Sequence, residues 1–168
     1  MTKAKILIID DEEDIRESLT DILKDEGYEI IVAENALKAK EIKSKFRFDL
    51  ILLDIWMPDC DGISLLKQWA KDKEINCPVI MMSGHGTIDT AIEATKIGAF
   101  DFLEKPISLQ KLLKTISLAL KKSIHINKLD VSFITDIDSK IVKELREKLK
   151  DLKKEGLILI EGQEGNFL

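Results

Sequence analysis

Cysteine, histidine and long apolar runs are scarce in this chain, and each scarcity excludes something. The 168 residues hold two cysteines, Cys60 and Cys77, and two histidines. Neither cysteine belongs to a CxxC pair or stands near a histidine cluster. A disulfide framework is therefore excluded, and a reduced, cytoplasmic chain is expected. No apolar run approaches the roughly 20 residues that cross a bilayer, so no membrane partner is expected. The apolar stretch near Met1 is too short for a secretion signal. No Lys/Arg-dense block appears and the net charge is -5, so nucleic-acid binding within this chain is not expected.

What is present is an ordinary globular balance, 45% hydrophobic and 34% charged, long enough for one domain with some chain to spare. "KILII" (Lys5–Ile9), "YEIIVA" (Tyr28–Ala33), "DLILLD" (Asp49–Asp54), "PVIMMS" (Pro78–Ser83) and "AFDFL" (Ala99–Leu103) read as strands. Between them lie helical stripes, such as Ile15, Leu19, Ile22 and Leu23, with Gly27 and Gly98 as stops and Asn35 as a cap. Strands apolar throughout that alternate with helices predict a doubly wound α/β fold, (βα)5, with a five-stranded parallel sheet over residues 1–122. Residues 123–136 lack a clear period and read as a linker. Residues 137–168 read as a helix and a short strand, the incomplete start of a second domain.

In such sheets function collects at the carboxyl ends of the strands. Asp10, Asp11 and Glu12 follow the first strand, Asp54 ends the third, Ser83 and Gly84 end the fourth, and Lys105 and Pro106 follow the fifth. Carboxylates brought that close repel one another as bare anions. A hard divalent cation, Mg²⁺ first among them, resolves the conflict. With an ammonium at Lys105 and a hydroxyl at Ser83, the set suits a phosphoryl group, and one carboxylate can act as nucleophile. Blander roles stand beside these. Asp10 and Asp11 can cap the first helix and Ser83 the fourth. Phe102 can be core, and His85 a surface loop residue.

"ILIIDDE", "LILLDIWMPDCDG", "MMSGHG" and "FDFLEKP", in that order and spacing, resemble the motifs of two-component response-regulator receiver domains, most closely the NtrC/NtrX type. The resemblance implies a flavodoxin-like, CheY-like fold and a switch rather than an enzyme. It makes Asp54 the acceptor of a phosphoryl group from a sensor histidine kinase. Mg²⁺ would be bound by Asp11, Asp54 and the backbone carbonyl of Trp56, with Asp10 acting through a water. Ser83 and Lys105 would contact the phosphoryl group, and Ser83 and Phe102 would form the switch. Trp56 and His85 occupy positions that modulate phosphoryl lifetime, with the indole shielding Asp54 from water. The helix 4–strand 5–helix 5 face, or the C-terminal helix, would carry a homodimer or an output partner.

Two rivals remain. Phosphatases of the haloacid-dehalogenase type also use a strand-end Asp and Mg²⁺, but they place a second acid two residues on, where Trp56 stands. The other is a stand-alone or degenerate receiver that signals through protein contacts without ATPase output. "LILIEGQEGNFL" resembles the opening of the AAA+ domain that follows NtrC-type receivers. Phe167 and Leu168 stand where its phosphate loop needs a glycine and a lysine, so no ATP hydrolysis is expected.

Overall fold

The computed structural model describes residues 3–85 and 87–136. Five strands alternate with five helices. They are β1 (Lys5–Ile9), α1 (Glu13–Asp25), β2 (Glu29–Ala33), α2 (Ala36–Lys45) and β3 (Leu50–Asp54). Then follow α3 (Gly62–Lys71), β4 (Val79–Ser83), α4 (Ile88–Ile97), β5 (Asp101–Glu104) and α5 (Leu109–Asp136). The strands form one parallel sheet in the order β2-β1-β3-β4-β5. The flavodoxin-like (βα)5 expectation is met.

Burial explains the strand sequences. Every residue of β3 and β4 is buried, because helices cover both faces of the central strands. The edge strands β2 and β5 carry exposed positions. Side chains alternate across the sheet. Leu7, Ile9, Ile51 and Leu53 pack with Ala39 of α2, Leu66 of α3 and Ala94 of α4. Ile6, Ile8, Leu50 and Leu52 pack with Leu19 of α1 and Ile116 of α5. Trp69 is core, as its helical spacing predicts.

Local signals fix the helix ends. Asn35 caps α2 by accepting from the Lys38 amide at 2.7 Å. Gly98 closes α4 at φ +123°, a conformation that disfavours any residue with a Cβ. Four strand starts shift inward from the expectation, to Glu29, Leu50, Val79 and Asp101. At β2 and β5 the expected first residue closes the preceding helix instead: the Tyr28 amide donates to Leu23 O and the Ala99 amide to Ala94 O. The segment 123–136, expected to be a linker without a clear period, is helical. α5 continues to Asp136, because the segment contains neither Pro nor Gly to stop it. The expected helix and strand of residues 137–168, and the phosphate-loop comparison at Phe167 and Leu168, lie outside the described residues.

The loop after β3 folds back on the strand it leaves. The Gly62 amide donates to Ile55 O at 2.7 Å, and a Cβ at Gly62 would collide with the Asp54 carbonyl oxygen. Helix propensity alone makes Gly→Ala stabilising by about 1 kcal/mol at an ordinary helical position. Here the opposite sign is expected. Gly62→Ala destabilises by roughly 1–3 kcal/mol, the range for forced overpacking, read as a lower urea midpoint at unchanged m-value. A neutral or higher midpoint would show that the loop relaxes freely away from β3.

Candidate functional site

The strand order builds the site. β1 and β3 are neighbours, so Asp10, just past β1, and Asp54, the last residue of β3, arrive at the same sheet edge. Both are buried, Asp10 at 0% and Asp54 at 2% exposure. Lys105 lies just beyond β5, where its amide donates to Ser83 O at 2.8 Å. Its long side chain crosses β4, and Nζ reaches Asp10 Oδ2 at 2.8 Å, Glu12 Oε1 at 3.0 Å and Asp54 Oδ1 at 3.2 Å. Asp10, Asp11 and Asp54 each offer a carboxylate oxygen, all within 4.8 Å of one another. Asp11 alone of the three is exposed.

One ammonium does not balance these acids. Burial, and then the charge of Asp10, push Asp54 from 3.8 up to about 6. Burial also raises Asp10, against the pull of Lys105 and of the Glu12 amide. Burial works to lower Lys105, but its contacts with Asp10 and Glu12 prevail and hold it above its ordinary value. The Lys105 ammonium, 2.8 Å away, is the charge partner of the buried Asp10 Oδ2. Surplus negative charge and an all-oxygen donor set are what a hard divalent cation with bound water would satisfy.

A cleft of about 400 Å³ opens over the cluster, lined by Asp54, Trp56, His85 and Lys105 together with Glu12 and Pro106. Trp56 is 59% exposed, a large apolar surface beside a buried acid. His85 is exposed and Ser83 is fully buried, with Ser83 Oγ accepting from the His85 amide at 3.2 Å. The capping alternatives for these residues are resolved. Thr87, not Ser83, caps α4, and Glu12 stands at the N-cap of α1 without a side-chain capping bond. Asp10 Oδ1 does accept from the Glu12 amide at 2.9 Å. Phe102 is half-buried against the α2–α4 side of the core and does not line the cleft. The Lys105–Pro106 peptide is cis. Sequence reasoning gave Glu12 no role, although it is the third acid of the "DDE" run and a direct partner of Lys105.

The raised Asp54 has a measurable consequence. A carboxyl whose folded pKa exceeds its unfolded value stabilises the fold below pH 3.8, and that contribution is lost as pH rises to about 6. In EDTA, Asp54→Asn removes this dependence. Its urea stability relative to the parent is expected to improve by on the order of 2–3 kcal/mol between pH 4 and pH 7.5. A constant difference across that range would mean that Asp54 is not held protonated by its surroundings.

Comparison with known proteins agrees with the geometry. Residues 6–117 match the response regulator receiver domain family. The chain is 40% identical over 144 residues to an NtrX-like response regulator of Rickettsia bellii, covering 84% of this chain and 29% of that one. It is similar to the crystal structure of NtrX from Brucella abortus at TM-score 0.71 and 38% identity, covering 77% of this chain and 29% of that one. It is also similar to the beryllofluoride-activated NtrC4 receiver domain dimer at TM-score 0.65 and 42% identity, covering 71% of this chain and 98% of that one. The chain thus spans less than a third of the length of the Rickettsia relative. Matched over two thirds of its residues and folded as its relatives are, the chain belongs to the response regulator receiver domain family.

Proposed function

We propose that the chain is the phosphoryl-accepting switch of a two-component system, with Asp54 as acceptor. The observation that carries this is the buried Asp54 carboxylate, 3.2 Å from Lys105 Nζ, at the floor of a cleft flanked by a three-carboxylate cluster. Asp11 and Asp54 would hold Mg²⁺ directly, with the Trp56 carbonyl, and Asp10 would act through a water. Mg²⁺ supplies positive charge to the phosphoryl oxygens.

The protein side of the reaction follows from the same residues. An Asp54 oxygen attacks phosphorus in line. A P–O bond forms as the P–N bond of the kinase phosphohistidine breaks, and the electron pair leaves with the imidazole nitrogen. Lys105 exchanges part of its contact with Asp10 and Glu12 for a phosphoryl oxygen. Ser83 turns its hydroxyl from the His85 amide toward the same group, and Phe102 repacks into the space released beside it. The state favoured by phosphorylation is read on the α4–β5–α5 face. Ile88 and Ile92, one turn apart on α4, are both exposed. A second copy of this chain or an output partner would cover that face; the similar NtrC4 receiver domain is itself a dimer. The sensor histidine kinase is the phosphoryl donor.

Incubation with Mg²⁺ and a small phosphodonor, followed by intact mass measurement, is expected to give a single phosphoryl adduct that Asp54→Asn abolishes. An unmodified parent with demonstrated Mg²⁺ binding would refute the assignment.

The exposed indole of Trp56 at the cleft mouth restricts the approach of a hydrolytic water. The phosphoryl group is expected to decay faster in Trp56→Asn than in the parent. Equal decay rates would remove the shielding role.

A further inference from the structure

We infer that Arg16 is a positioning residue that fixes the acidic loop in its metal-holding geometry, an inference that rests on the Mg²⁺ reading above. Arg16 Nη1 donates to the backbone carbonyls of both Asp10 and Asp11, at 2.8 and 2.9 Å. Those are the two loop residues whose carboxylates, with Asp54, make the oxygen cluster. Clamping consecutive carbonyls from one nitrogen fixes the peptide plane between them, and with it the directions in which the two side chains leave the chain.

Three features of α1 indicate that the clamp serves the site rather than the helix. Arg16 is the fourth residue of α1, in the first turn, where the helix dipole disfavours a cation. Glu12, the N-cap, makes no side-chain capping bond to the helix, its carboxylate reaching Lys105 instead. Neither of the two bonds that Arg16 Nη1 makes is to a carboxylate, although Glu13 and Glu17 are near in sequence. A guanidinium spent on two carbonyls, in a turn unfavourable for it, preorganises the oxygens that face the cation. Residues that support metal ligands in this way alter metal affinity by roughly 10- to 100-fold when removed.

The test titrates the full chain with Mg²⁺ alone by calorimetry, then measures phosphorylation by a small phosphodonor as a function of Mg²⁺. Arg16→Gln is expected to raise the Mg²⁺ Kd by roughly tenfold. Arg16→Lys, which keeps a donor and a charge, is expected to fall between it and the parent. The half-saturating Mg²⁺ for phosphorylation should rise in step, with the rate at saturating Mg²⁺ unchanged within about twofold. A clamp that merely stabilised the fold would not produce that split. An unchanged Kd in both variants, or a lower saturating rate with unchanged Kd, would overturn the inference. Should Arg16→Gln fail to fold, Arg16→Lys decides by the same criteria. A parent that binds no Mg²⁺ would sink the metal reading as well; a parent that binds while Arg16→Gln matches it would sink only the role of Arg16.

Discussion

A single ammonium, that of Lys105, lies between two buried carboxylates and a third at the surface, and this imbalance governs the whole sheet edge. Burying unpaired charge is costly. The fold meets the cost partly by raising the pKa of Asp54 and partly by pairing Lys105 with several acids at once. What is left over is negative charge on oxygen donors gathered in one place. A divalent cation could be held there, because the acids outnumber the one ammonium that they share.

The sheet is what keeps these charges together. The fully buried β3 delivers Asp54 rigidly, since a strand packed on both faces has no room to shift. β1 delivers Asp10 next to it, and the amide of Asp10 extends the pairing with β2 by bonding to Ala33 O at 3.1 Å. Behind Asp54 the returning loop passes so close that only glycine fits at position 62. On the other side the constraints are looser. Ser83 and Lys105 are joined by a backbone bond at the ends of β4 and β5. His85 and much of α4 face solvent. Firm acid-bearing strands thus stand beside a more exposed α4.

Much of this was legible beforehand because the relevant signals are local. Apolar runs punctuated by Gly27, Asn35 and Gly98 identified five strand–helix units, and parallel topology placed Asp10, Asp54, Ser83 and Lys105 at one edge. The reading failed where local signals were weak. Residues 123–136 showed no clean period and were expected to be a linker, yet nothing in them breaks a helix and α5 runs on to Asp136. Strand starts at Glu29 and Asp101 moved because Tyr28 and Ala99 spend their amides closing the preceding helices.

By itself, the sequence determined the order of elements, the family, and which residue types end each strand, because periodicity and turn chemistry act over a few neighbouring residues. Only the tertiary structure decided the distances on which the chemistry depends. Lys105 pairs with Glu12, 93 positions away, and the same ammonium reaches Asp10 and Asp54 from two other strand ends. Those contacts depend on how strands distant in sequence stack side by side and on which buried charges each neighbour must satisfy, and no pattern along the chain encodes that directly.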